Sequence, residues 1–166
     1  MKVGVDLGRL GELLITQEET MASLYDTYRR CLPELADFWR QLVVEERAHA
    51  QVLQQLRSLF DRGEILIRPA RTDVAVIRRN IASMLDLAAR AEGQGVHPVA
   101  ALKAAMEFEQ SSLEAHSFDV FDATTGAMRT ELQELREHTE GHARRLAKAL
   151  AIAEADLRKR EAEGRQ

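Results

Sequence analysis

Four stretches of this chain repeat apolar residues at helical spacing, and each breaks the repeat near its middle with a polar side chain. In the first, the stripe reads Leu7, Leu14, Glu18, Met21, Tyr25, Tyr28, Leu32. Its steps of three, four and seven residues place every member on one face of an α-helix. The second reads Phe38, Leu42, Glu46, His49, Leu53, Leu56, Phe60. The third reads Leu102, Met106, Glu109, Leu113, His116, Val120, and the fourth Met128, Leu132, Leu135, Thr139, His142, Leu146, Ala149. An apolar helical face has to be covered. A fold that covers all four also takes Glu18, Glu46, His49, Glu109, Thr139 and His142 out of water.

The breakers fall between these stretches. Pro33 follows the first, Gly63 and Pro69 the second, Gly93, Gly95 and Pro98 precede the third, and Gly126 precedes the fourth. Helices are expected over Leu7 to Arg30, Glu34 to Phe60, Val99 to Asp122 and Ala127 to about Arg158, with a crossover helix from Val74 to Glu92. Pro33 and Pro98 suit the first turn of a helix, where a missing N–H costs little. Asp73 suits the cap of the crossover helix, and Thr124 or Thr125 the cap of the last. The run Glu64 to Arg68 reads as extended and too short to build a sheet. Gly141 is unfavourable inside a helix by roughly 1 kcal/mol relative to Ala, and a close helix approach would account for it. Long helices, short first and last turns and a long central connection predict an all-α four-helix bundle whose crossover, between the second and third long helices, contains an extra helix. One domain over residues 1–166 is expected, with a charged tail from about 159 to 166.

Composition removes several functions. Lys plus Arg number 23 and Asp plus Glu 27, a net charge of −4, which disfavours a nucleic-acid binder. A single cysteine, Cys31, excludes an internal disulfide and any cysteine-based zinc or iron–sulfur site within one chain. No apolar run approaches the roughly 18 residues of a membrane span, and the opening MKVGVDLGRL lacks a signal-like apolar stretch. A cytoplasmic protein without a membrane partner is therefore expected.

The buried polar residues point to a metal. Three carboxylates and two imidazoles at one level of a core, with no Lys or Arg in the stripes there, need cations. A divalent ion supplies them, and carboxylate with imidazole suits iron, manganese or zinc. Glu46 and His49 sit three residues apart, side by side on one helix face, so Glu46 can bridge metals while His49 ligates one. With 18 Glu and five His in 166 residues, chance alone gives roughly 0.5 such pairs, so the weight lies in its placement among the other helices. A faint repeat adds to it. Glu18 precedes His49 by 31 residues and Glu109 precedes His142 by 33, as though one helical hairpin occurred twice.

With these residues the chain resembles the ferritin-like di-iron proteins, in particular the rubrerythrin branch. The resemblance covers about residues 10–155 and rests on Glu18 with Tyr25, Glu46-Arg47-Ala48-His49, Glu109, and His142 followed by Ala-Arg-Arg-Leu. It implies a metal centre held by Glu18, Glu46, His49, Glu109 and His142, with Tyr25 beside it. Thr139 stands where the second Glu-x-x-His has its Glu, and a threonine cannot bridge two irons as a carboxylate does. Glu140, its neighbour, points about 100° away around the helix. His138, one turn before His142, could substitute. His116 occupies the place of the Tyr in the first copy and could ligate or donate a hydrogen bond. The four-cysteine electron-donor module of rubrerythrins is absent from this sequence, so redox cycling would need an external electron donor. The resemblance thus implies an iron protein, di- or mononuclear, acting in peroxide- or oxygen-linked redox chemistry or iron handling, and a homodimer. The alternative is a degenerate bundle that has lost its metal and serves as a protein-interaction module.

Overall fold

The computed structural model describes residues 7–67, 72–115, 120–122 and 125–164. These are almost entirely helical. Helix α1 spans Leu7–Cys31, and after a 3-10 turn over Pro33–Leu35 helix α2 spans Ala36–Asp61. Helix α3 covers Val74–Gln94, α4 Pro98–Glu114 and α5 Gly126–Glu163. Each expected helix is present. The last keeps its helical hydrogen bonding through most of the charged tail. No helix among the described residues is long and apolar enough to cross a membrane.

The helix ends form where the sequence supplies caps. The Asp73 carboxylate accepts from the backbone N–H of Ala75 and Val76, at 3.0 and 3.2 Å. Thr125 accepts from Met128 N–H at 3.3 Å, and His97 Nδ1 from Val99 N–H at 3.3 Å, just ahead of Pro98. These bonds satisfy donors that a helix start leaves over. Helix α3 stops at Gly95, whose φ of 76° is open to glycine at no steric cost.

Two expectations need correction. The third stretch does not remain helical to Asp122. Helix α4 ends at Glu114, and Phe121–Asp122 form a strand, β2. The extended run after α2 does pair: Leu66–Ile67 (β1) lies antiparallel to β2, with Leu66 opposite Asp122 and Ile67 opposite Phe121. Ile65, Ile67, Val120 and Phe121 are all buried in one apolar cluster. Burying these four side chains together favours the two-residue ladder over one more helical turn. The ladder ties the crossover to the α4–α5 connection. His116 lies outside the described residues, as does Thr124.

Helix α1 packs along α2 and also along α3, while α4 packs along α5. At its close, α1 is fastened to α3 by Arg30 Nη2 to Glu92 at 2.7 Å and by Cys31 Sγ to the Ala91 carbonyl at 3.5 Å. Near its start, Gly11 leaves room for Arg57, whose Cδ would lie 2.7 Å from any Cβ at that position. Arg57 Nε donates to the Gly8 carbonyl at 3.0 Å, closing α2 over α1.

The core is divided in two. One apolar cluster gathers Met21, Tyr25, Tyr28, Trp39, Leu42, Leu102, Phe108, Leu146 and their neighbours. Trp39 packs within it: its ring centroid lies 5.4 Å from that of Tyr25 and 5.1 Å from that of Tyr28. The other cluster gathers Leu10, Leu14, Leu53, Leu56, Ile77, Leu135 and the ladder residues. Between Leu14 and Met21 on α1, Leu42 and Leu53 on α2, and Leu135 and Leu146 on α5, the chain inserts polar residues into the buried face, apart from Val43 and Ala50. That polar layer is the site.

Candidate metal centre

Gln17, Glu18, Glu46, His49, Glu109, Ser112, Thr139 and His142 are all buried at this layer. Helical periodicity alone brings them there, since each occupies a stripe position or its neighbour on the same face. The register is settled as well. Glu18 and Glu109 point inward, while Glu19, Glu107 and Glu140 are exposed.

His142 is the hub. Its Nδ1 lies 2.6 Å from Glu46 Oε1 and 3.3 Å from Glu109 Oε1. His49 Nδ1 lies 3.2 Å from Glu46 Oε2 and 3.5 Å from Glu18 Oε2. Glu46 therefore spans both imidazoles, one oxygen to each. The two rings are nearly parallel, with centroids 5.2 Å apart. Glu46, His49 and His142 can each offer a ligand atom with all three within 4.8 Å of one another. Glu18 and Glu109 stand against opposite imidazoles on either side of this trio.

The two helical pairs meet through this layer. Tyr25 Oη donates to Glu109 Oε1 at 2.8 Å, linking α1 to α4. Gln17 Nε2 donates to Ser112 Oγ at 3.1 Å, making a second link between the same helices. His142 on α5 faces Glu46 on α2.

Burial and mutual charge set the protonation of these groups. Burial pushes Glu18 up to about 7, with the Glu46 charge adding to it and His49 opposing. Glu109 rises to about 8 through burial and the Glu46 charge, against His142 and Tyr25. Burial would also raise Glu46, but the two imidazoles outweigh it and hold that carboxyl well below its ordinary range. Burial would lower both imidazoles, yet the carboxylates prevail and lift His49 to about 9 and His142 to about 10. The Tyr25 phenol is pushed well above its usual value by burial and by the neighbouring Glu109. Without a metal, protons shared among carboxylates and imidazoles must supply the positive charge of the site.

The donor set fits a cation. Glu46 Oε1 is buried and accepts no aligned hydrogen bond, although it lies so close to His142. A dry carboxylate oxygen with no aligned hydrogen bond, at the centre of five ionisable groups, is suited to a metal ion. No Lys or Arg among the described residues pairs with Glu18, Glu46 or Glu109. Oxygen and imidazole donors together suit iron, manganese or zinc and do not select among them.

Other positions expected at the site take different roles. Thr139 is buried, but its hydroxyl donates to the Leu135 carbonyl at 2.9 Å, so it works as a helix-satisfied core residue. His138 is exposed, and its ring stacks on that of His49 with centroids 5.6 Å apart. It lines a cleft of about 350 Å³ with Glu45, Glu137, Gly141, His142, Arg144 and Arg145. Gly141 makes no close helix contact. A Cβ there would meet only Arg144 Nη2, at 3.9 Å. Its lack of a side chain opens the cleft wall above His142 instead.

Two residues of this rim carry no stripe signal. Glu45 Oε2 lies 2.9 Å from His142 Nε2, though off the line of a good hydrogen bond. Arg145 grips the same carboxylate with both terminal nitrogens. Arg145 lies one turn along from His142 and Glu45 next to Glu46. Proximity in sequence to the stripe residues was the only signal available for them.

No protein-family model matches this chain, and no curated protein or solved structure matches it either.

Proposed function

We propose that this chain is a metal-binding helical protein of the ferritin-like, rubrerythrin-like kind, with iron as its metal. The observation that carries the reading is the layer of three buried carboxylates and two buried imidazoles, gathered around a Glu46 oxygen that no hydrogen bond uses. Residues without a function at such a layer would be replaced at a gain in stability by apolar ones. Pairing of α1 with α2 and of α4 with α5, joined through the site, supports a bundle arrangement.

Glu46, His49 and His142 form the inner ligand set, with Glu18 and Glu109 closing opposite sides. Thr139 offers no second bridging carboxylate, so one tightly held ion per chain is the expected state. A bound iron would supply one-electron redox chemistry at a position reached through the His138–Gly141 cleft. The chain's own groups do the rest. Tyr25 donates to Glu109 and steadies it. Without a metal, burial raises the Glu18 and Glu109 carboxyls, so each holds a proton that an incoming cation displaces. The two apolar clusters keep bulk water from both ends of the layer. Peroxide- or oxygen-linked turnover would draw electrons from an external donor protein.

Anaerobic loading with Fe(II), and separately with Mn(II) and Zn(II), followed by desalting and elemental analysis, tests the reading. About one ion per chain is expected. No retained ion in a folded protein would sink it and favour an interaction module on an old metal-binding scaffold.

A further inference from the structure

The two imidazoles of the site differ on their outer side. Each ring presents Nδ1 to the inner carboxylates, as the distances to Glu46, Glu18 and Glu109 establish. The Nε2 of His49 is buried with no partner. The Nε2 of His142 also lacks an aligned hydrogen bond but faces a carboxylate, Glu45 Oε2, at 2.9 Å. That carboxylate is itself gripped by the Arg145 guanidinium through both terminal nitrogens. Glu45 and Arg145 are each 39% exposed, so the pair sits at the rim, between the cleft and a ring that is 1% exposed.

A neutral imidazole has one N–H and one lone pair, and its surroundings decide which nitrogen carries which. A carboxylate beside Nε2 stabilises the proton there. Nδ1, on the other side of the ring, is then left with its lone pair toward Glu46 and Glu109. The Glu45 carboxylate faces the ring nitrogen turned away from the inner carboxylates, which makes it a poor substitute for the bridging carboxylate missing at Thr139. Its fork-like hold by Arg145 fixes its direction, as bidentate guanidinium–carboxylate pairs do.

We propose that Glu45, held by Arg145, is a positioning residue that keeps the His142 proton on Nε2 and so directs the Nδ1 lone pair at a metal. The proposal rests on the metal-binding reading above. It makes the two rings unequal: His142 is oriented from outside the layer, and His49 only from within it. Removing an outer carboxylate of this sort lowers metal affinity by about 10- to 100-fold.

The test uses the full chain, loaded with Zn(II) so that it is diamagnetic and labelled with nitrogen-15. Long-range proton–nitrogen correlation spectra report which His142 nitrogen carries the proton. The parent should show protonated Nε2 and metal-bound Nδ1. Glu45→Ala should weaken Zn(II) binding by about 10- to 100-fold and scramble that tautomer. Glu45→Gln keeps an acceptor oxygen and should restore the tautomer and most of the affinity, whereas Glu45→Leu, similar in bulk but without an acceptor, should not, which separates this role from simple packing. Arg145→Gln should move both readouts in the direction of Glu45→Ala, and it serves as the second variant if Glu45→Ala does not fold. A Glu45→Ala protein with unchanged tautomer and affinity overturns the proposal while leaving the metal site intact. So does a parent in which Nε2 binds the metal. A parent that takes up no Zn(II), Mn(II) or Fe(II) overturns the metal reading itself, and this inference with it.

Discussion

The α1–α2 and α4–α5 pairs bring different resources to the same layer. The first supplies Glu18 and a complete Glu-x-x-His, Glu46 with His49. The second supplies Glu109 and His142, and at the bridging position only Thr139, whose hydroxyl is spent on the Leu135 carbonyl. The second pair is compensated from across the interface. Its histidine is approached by Glu46, Glu109 and Glu45, whereas His49 is approached by Glu46 and Glu18. The half with no carboxylate three residues before its histidine thus draws charge for its imidazole from the other half. The dependence is unequal, and it runs through Glu46.

Removing Glu46 should break the site most completely. Glu46→Ala takes away the one carboxylate among the described residues within ion-pair distance of both rings. Metal retention after desalting should be lost. The metal-free protein should lose about 3 kcal/mol by urea unfolding, because breaking a buried pair leaves its partners uncompensated. Retention equal to the parent would show that the two halves do not share this residue.

Acidity separates the metal-free protein from the loaded one. Glu18, Glu109, His49 and His142 all have raised values in the folded state, so the folded chain binds more protons than the unfolded chain over the intervening range. Stability of the metal-free protein should therefore fall as pH rises from about 5 to about 10, and Glu46 opposes this only in the acid range. A metal replaces those protons, so the loaded protein should lose its ion, and its added stability, as pH falls. Thermal unfolding of both forms across this range checks the crossing trends. Parallel curves would contradict the exchange of protons for metal.

Thr139→Glu should make the halves alike. It restores a carboxylate at the bridging position and should raise the retained metal from about one ion per chain to about two. Unchanged stoichiometry would place the carboxylate out of reach of the layer. The smallest effect belongs to Gly141. A Cβ there meets only ordinary contact, so Gly141→Ala should stabilise the helix by about 1 kcal/mol in urea unfolding. A loss of stability would mean that the open cleft wall matters to the packing of α5.

The polar layer was legible because burial is a property of helical phase. Glu18, Glu46, His49, Glu109 and His142 each lie on a stripe, and all five are buried. Caps at Asp73 and Thr125 were legible for the same local reason: each offers an oxygen to donors two or three residues away. The failures were non-local. The end of α4 carries no Gly or Pro signal before Gly126, and it is set by pairing of Phe121 with Ile67, far away in the chain. Glu45 and Arg145 lie off the stripes at a half-exposed rim. Only the crossing of α2 and α5 shows that they meet. Thr139 was readable as a departure from the expected pattern, but its bond to the Leu135 carbonyl required coordinates.

The ion proposed here would bind among Glu46, His49 and His142. Anomalous diffraction from crystals of the iron-loaded protein, recorded on both sides of the iron absorption edge, tests it most directly. A strong anomalous peak is expected within bonding distance of a Glu46 oxygen and of the Nδ1 atoms of His49 and His142. A loaded protein whose only peak lies on the surface, away from these three side chains, would contradict it.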